Sequence, residues 1–169
     1  MILNSQNVLK NFMGDYLGEF GKVAQVGVDL SVTEIREIKG GKLCQDGSKE
    51  IEEYEEVPNY LFSKDKGREG VKTWMLKKGN IYSLTFEQNI KLDSKHTGLV
   101  FGRSTINRIG GLIRSSIFDP GFDSQVGATL YCFADMEIEY GARLAQFVVF
   151  ENEEAEKYNG SYQKDKDIK

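Results

Sequence analysis

Histidine is nearly absent: His96 is the only one in 169 residues. A Ser-His-Asp hydrolase needs an imidazole beside its nucleophile. His96 lies in a Lys-His-Thr-Gly stretch that reads as a surface turn, leaving Ser104 and Ser115 without a base. Cysteine is almost as scarce. Cys44 and Cys132 stand far apart with no C-x-x-C spacing, which excludes a zinc deaminase built on H-x-E and C-x-x-C. Two free thiols in a reducing compartment are expected, with one disulfide left open. No G-x-x-x-x-G-K-[ST] occurs, so there is no P-loop. No apolar run approaches 18 residues, and MILNSQNVLKNF has no basic-then-apolar leader pattern. A cytoplasmic protein with no membrane partner is expected. Basic residues are outnumbered, 22 Lys and Arg against 26 Asp and Glu for a net charge of −4. Without a long Lys/Arg run, nucleic acid is not the expected partner, whereas a small anion needs only a local basic cluster.

What is present describes one soluble domain. Hydrophobic residues make up 40% and charged residues 28% of a chain long enough for a real core. Val8, Leu9, Phe12 and Met13 have helical spacing over residues 4–13, with Asn4 or Ser5 as cap. From Val23 the period becomes two: Val26, Val28, Leu30 and Val32 share one face, and Gln25, Gly27, Asp29 and Ser31 the other. Residues 39–70 are charged and turn-rich. Their run of Glu50, Glu52, Glu53, Glu55 and Glu56 reads as a solvated edge strand or loop rather than a binding surface. Strand-like runs follow at 71–76, 81–86, 97–102, 127–133 and 144–150. Many short strands with little helix predict an all-β barrel or sandwich.

The chemistry concentrates in GRSTINRIGGLIRSSIFDPGF, residues 102–122. Gly102, Arg103, Ser104, Thr105 and Arg108 form a small, basic, hydroxyl-rich cluster. Arg offers a planar fork for phosphate oxygens, and Gly permits close backbone approach. Asp119-Pro120-Gly121-Phe122 places a carboxylate before a Pro-Gly turn, with a ring three residues on. Asp119 can hold and deprotonate a water, help typically worth about 10²–10⁴ in rate. Phosphoryl transfer otherwise needs positioning and charge neutralisation, from the cluster and from a hydrated Mg²⁺ held mostly by substrate phosphates. The same pieces also make an ordinary polar turn.

Separated stretches, in order, resemble one superfamily, the trimeric dUTPases and dCTP deaminases, and most of all its short deaminase-like dUTPases. The MIL start and the helix after it look like the deaminase-like branch. Gln25-Val26-Gly27-Val28-Asp29-Leu30 is similar to the first motif, with Val26 where proline is usual. Gly102-Arg103-Ser104-Thr105-Ile106-Asn107-Arg108 resembles the phosphate-binding G-R-S-S-L-x-R, and Phe118-Asp119-Pro120-Gly121-Phe122 the hairpin with the water-activating aspartate. Gly141-Ala142-Arg143-Leu144-Ala145-Gln146 resembles G-x-R-[IL]-A-Q. Tyr158-Asn159-Gly160-Ser161-Tyr162-Gln163 resembles the C-terminal arm Y-x-G-x-Y-Q.

The resemblance implies a distorted jelly-roll, β-clip-like barrel with a short N-terminal helix. It implies a single domain over residues 1–157, an arm over 158–169, and a homotrimer whose active sites are shared between subunits. It implies hydrolysis of dUTP to dUMP and pyrophosphate with Mg²⁺. Asp119 would activate the water. Phe122 would lie under the deoxyribose, and backbone groups of the hairpin after it would read the base. Arg103, Ser104, Thr105, Arg108 and Gln146 would hold phosphates, and Asp29 would order the metal's waters. Tyr158, Tyr162 and Gln163 would close with the arm, and Lys164 would meet a phosphate as a point charge.

The chain departs from the family pattern at Ser124, usually glycine, which gives Asp123-Ser124-Gln125 an unusual hairpin tip. It departs again after Gln163, where Lys164-Asp165 replaces glycine and a hydroxyl residue. Local chemistry leaves Asp29 open between a metal role and a turn cap or an ion pair with Arg143. It leaves Gln146 open between phosphate contact and core amide, and Tyr158 between site and packing. The runner-up readings are a dCTP deaminase or bifunctional enzyme, and a nucleotide-binding regulatory protein with weak catalysis. Deaminase chemistry is disfavoured because Thr129 stands where that branch carries its catalytic glutamate, and a threonine cannot shuttle the proton.

Overall fold

The structure, a computed structural model, describes residues 1–14, 16–62 and 70–160. In chain order its elements are α1 (Ser5–Phe12), β1 (Lys22–Val23), β2 (Val28–Glu37), β3 (Gly41–Leu43), β4 (Lys49–Ile51), β5 (Glu55–Glu56), β6 (Asn59–Phe62) and β7 (Val71–Leu76). There follow β8 (Ile81–Lys91), β9 (His96–Gly102), α2 (Ser104–Arg108), β10 (Gly111–Arg114), β11 (Asp123–Cys132), β12 (Met136–Glu139) and β13 (Arg143–Glu151).

Strand β2 is the hub. Its first half pairs with β13, Phe147 opposite Val28, and its second half with β8, Leu84 opposite Ile35. A bulge between Val32 and Glu34 lets one strand change partner. Pairing then runs from β13 through β9, β10 and β11 back to β8. Six antiparallel strands thus close a barrel, which removes the exposed edges of an open sheet. Val28, Leu30, Leu84, Phe86, Leu130 and Phe147 fill it. The architecture is the all-β, distorted jelly-roll barrel with a short N-terminal helix that the motifs imply.

Helix α1 begins where expected: the Asn4 side chain accepts from the Asn7 amide at 3.0 Å, and Val8, Leu9 and Phe12 are buried. Outside the barrel lie the three-stranded sheet β6-β7-β12 and the hairpin β3-β4, while β5 pairs with the end of β2. The acidic run is exposed along β4 and β5, and Lys39 Nζ lies 2.7 Å from both Glu37 and Glu55. That is the charged edge the sequence suggests.

Three local expectations are corrected, and one short helix is added. The strand expected over 23–32 is two strands, because Gly27 turns the chain at φ +74° and a Cβ there would lie 2.4 Å from the Phe147 carbonyl oxygen. Val26 is therefore 47% exposed instead of facing the core. Residues 123–125 are no hairpin tip but the start of β11, paired with Lys91, Ile90 and Asn89. Residues 104–108 form the short α2, held by Ile106 packing inward. His96 opens β9 rather than lying in a turn, its Nδ1 2.7 Å from Asp93 and its ring 4.8 Å from Phe12.

Candidate active site

Two groups of the expected site residues assemble, at different places on the barrel. The first centres on Asp29, a carboxylate only 3% exposed. Register places Gln146 of β13 directly opposite it, and the Gln146 amide donates to Asp29 Oδ1 at 2.9 Å. Arg143 Nη1 lies 3.4 Å and Arg103 Nε 3.5 Å from Oδ2. Arg103 is held in turn: its amide donates to the Leu144 carbonyl at 2.9 Å, and its Nη1 to the Arg143 carbonyl at 3.1 Å. The end of β9 places it, since Gly102 pairs with Ala145. Two guanidiniums around one carboxylate leave an excess positive charge. Both arginine side chains remain about a third exposed, so that excess faces outward.

These four side chains share a polar recess of about 390 Å³ with Lys22, Val23, Ala24 and Gln25 of the β1–β2 hairpin. A basic, hydrogen-bonding recess with a fixed floor suits a phosphate group. The ion pair with Arg143 that the sequence left open for Asp29 is present, and Gln146 both binds Asp29 and lines the recess. Ser104, Thr105 and Arg108 lie on exposed positions of α2 and are not among the lining residues.

The second group is the Asp119 turn. Phe122 N–H donates to the Asp119 carbonyl at 3.1 Å, with Pro120 and Gly121 between them and Gly121 at φ +81°. Proline second and a positive-φ glycine third is the pattern of a type II turn. The turn is anchored by Phe118, which exchanges two 2.9 Å hydrogen bonds with Gly98 of β9. Asp119 is exposed at its head. Phe122 is 7% exposed, with its ring centroid 5.0 Å from Phe118 and 6.0 Å from Tyr158. Tyr158 N–H donates to the Pro120 carbonyl at 2.7 Å. Residues 157–158 therefore lie along the turn, and Tyr158 does serve packing. Tyr162, Gln163 and Lys164 lie outside the described residues.

Within one chain the two groups are anchored at separate points of β9. Gly98 anchors the turn and Gly102 precedes Arg103, four residues along the same strand, or about 13 Å. The turn also runs toward Asp93, whose carbonyl accepts from the Gly121 amide at 3.1 Å, and so away from Arg103.

For a metal, the described residues hold no group of three or more His, Cys, Asp or Glu. Asp29 already accepts hydrogen bonds from Gln146 and Arg143 and is ion-paired with Arg103, which leaves little of the carboxylate's capacity open. A hydrated Mg²⁺ arriving on a polyphosphate would meet Asp29 only through water.

The family model for dCTP deaminase-like proteins matches residues 7–152, nearly the whole described chain. The chain belongs to the dCTP deaminase-like family. It is similar to the deoxyuridine 5'-triphosphate nucleotidohydrolase of Methanocaldococcus jannaschii, 29% identical over 147 residues, covering 86% of this chain and 87% of that protein. It is also similar to the probable deoxyuridine 5'-triphosphate nucleotidohydrolase of Methanothermobacter thermautotrophicus, 29% identical over 144 residues, 83% and 87% of the two chains. Among solved structures, the 2'-deoxycytidine 5'-triphosphate deaminase of Agrobacterium tumefaciens superposes with a TM-score of 0.59 at 12% identity. That match covers 88% of this chain and 47% of that one, and it supports the fold.

Sequence reasoning marked Arg143 as an ion-pair partner and gave Lys22 no role. No linear motif marks Lys22. It faces the recess because β1 folds back on β2, setting Lys22 opposite Asp29.

Proposed function

We propose that this dCTP deaminase-like chain is a dUTP diphosphatase, hydrolysing dUTP to dUMP and pyrophosphate. The recess around Asp29 carries the reading. Arg103, Arg143 and Gln146 converge there with the charge and forked geometry that bind phosphate oxygens. The archaeal relatives named as dUTP nucleotidohydrolases, aligned over more than four-fifths of the chain, support the same substrate. Asp119, exposed at the head of a rigid turn, takes the proton of the attacking water. The bond between the α-phosphorus and its bridging oxygen breaks, and pyrophosphate leaves within the basic recess. Ser104, Thr105 and Arg108 approach the nucleotide from α2, and Phe122 and Tyr158 form the wall beneath the sugar. The arm residues Tyr162, Gln163 and Lys164 complete the closure. A bound Mg²⁺ would supply neutralisation of phosphate charge, and Asp29 would hold one of its waters.

The separation of Asp119 from Arg103 within one chain supports a homotrimer in which each site draws on more than one subunit. The surface supports it too. Leu112, Tyr131 and Ile81 form an exposed apolar row across β10, β11 and β8, flanked by Phe101 and by Phe133, which is 64% exposed. No helix among the described residues is long and apolar enough to cross a membrane, and a cytoplasmic enzyme is the reading we adopt. Deaminase activity is the lesser reading because Thr129, paired with Arg114 and Ser83, supplies no carboxylate. The test is a panel of deoxynucleoside triphosphates with Mg²⁺, read for pyrophosphate and ammonia together. Pyrophosphate from dUTP without ammonia from dCTP is expected. Ammonia from dCTP would move the assignment to a deaminase, and tight dUTP binding without pyrophosphate to a regulatory nucleotide-binding protein.

A further inference from the structure

We propose that Lys22 is an additional polyphosphate ligand, supplied by the β1–β2 hairpin and directed at the end of the phosphate chain farthest from the sugar. The proposal rests on reading the Asp29 recess as a phosphate site and assigns that site a cation outside its recognised motifs. In antiparallel register Lys22 stands directly opposite Asp29, which sets both side chains on one face with Cβ atoms about 5 Å apart. Lys22 lines the recess with Arg103, Arg143 and Gln146. Asp29 would be its natural counter-ion, but Asp29 is engaged by those three groups. Among the described residues Lys22 has no carboxylate partner, and its side chain is exposed on the rim. Three cations thus face one carboxylate, which leaves a charge of about +2 for a polyanion to meet.

The root of this side chain is held firmly. Just before it, Gln88 donates to the Leu17 carbonyl at 2.7 Å and Glu87 accepts from the Glu19 amide at 2.8 Å. Just after it, the Ser5 hydroxyl donates to the Ala24 carbonyl, and Asn4 bridges to Val26. The backbone of Lys22 is fixed from both sides while its ammonium group stays free. That is the arrangement of a placed point charge rather than of a mobile surface lysine. Arg103 and Gln146 are half-buried whereas Lys22 is exposed, which sets Lys22 toward the outer end of a polyphosphate seated in the recess.

The test is calorimetric titration of the intact protein with tripolyphosphate, pyrophosphate and dUMP for wild type, Lys22→Ala, Lys22→Arg and Arg103→Ala. Lys22→Ala is expected to weaken tripolyphosphate binding about tenfold, the usual effect of one charged hydrogen bond. Its dUMP affinity should stay within about twofold of wild type, and Lys22→Arg should restore most of the loss. Lys22 is exposed, so an unchanged melting temperature checks that the variant folds. Tripolyphosphate affinity that is unaltered in Lys22→Ala but reduced in Arg103→Ala overturns the proposal, as does a wild type that binds no tripolyphosphate. The two readings fail separately. A Lys22-dependent polyphosphate site in a protein that never cleaves dUTP removes the hydrolase and keeps Lys22. Cleavage with Lys22-independent binding does the reverse.

Discussion

Asp119 and Cys132 show how differently position treats reactive side chains. Asp119 stands exposed at the head of a turn whose backbone is fixed by Gly98. Its carboxylate can be changed without disturbing the core, so Asp119→Asn should fold with an unaltered melting temperature and still bind dUTP. Loss of the general base is expected to lower kcat by about 10²–10⁴, measured as pyrophosphate release at saturating dUTP. Cys132 is the opposite case, a thiol buried in the barrel wall. Burial pushes its pKa from 9.0 up to about 11, with the nearby Asp135 charge adding to the shift. The thiolate is the nucleophile, so at pH 8 iodoacetamide should modify Cys44 alone in the folded protein and both cysteines once it is unfolded, read by mass. Between pH 9.0 and about 11 the folded state holds a proton that the unfolded chain has released. Stability present in full below pH 9.0 should therefore decline toward pH 11, and Cys132→Ala should remove that part of the slope.

At the scale of elements, the loop before β1 depends on one buried amide. Gln88 is 0% exposed. Its Oε1 accepts from the Ser31 amide at 3.0 Å, and its Nε2 donates to Ser31 Oγ at 2.9 Å and the Leu17 carbonyl at 2.7 Å. Gln88→Leu keeps the volume but strands the Ser31 amide and the Leu17 carbonyl, at about 1–3 kcal/mol for each buried group left unsatisfied. The melting temperature should fall by about 2–4 °C per kcal/mol for a chain of this size. Hydrogen exchange should quicken in residues 16–22 before the rest of the barrel, and a uniform increase would mean that the loop is held elsewhere. None of this was legible beforehand, because a glutamine in a strand looks the same whether it faces water or a neighbouring loop. What could be read was whatever depends on local period: α1, the run 71–76, and the cores of β8, β9, β11 and β13. The motif residues Arg103, Asp119 and Gln146 were legible as chemistry. Asp29 and Ser31 were legible as one face of an alternating strand, but Arg103, Arg143 and the 16–21 loop cover that face, so β2 is buried on both sides. The break at Gly27 escaped because Val26 continues the alternation that the turn ends. These are tertiary effects, set by which strand lies alongside, and no window along the chain contains them.

For the whole molecule, the decisive spacing lies between Gly98, which anchors the Asp119 turn, and Gly102, which precedes Arg103, four residues or about 13 Å along β9. If a site takes its water-activating carboxylate from one subunit and its phosphate-binding arginines from another, two crippled chains can repair each other. Asp119→Asn keeps a sound recess and Arg103→Ala a sound turn, and each alone should be inactive. After equal amounts are unfolded together and refolded, random assortment makes three-quarters of trimers mixed. In a cyclic trimer each mixed assembly contains one junction where the intact turn meets the intact recess. One site in three is then whole in three trimers of four, so the mixture should recover about a quarter of wild-type turnover. Mixing without refolding should recover little unless subunits exchange. Refolded mixtures that stay inactive, while sedimentation shows trimers of both chains, would place both groups of every site on the same subunit. A monomer in sedimentation would instead leave the apolar row of Leu112, Tyr131 and Ile81 uncovered and remove the shared site altogether.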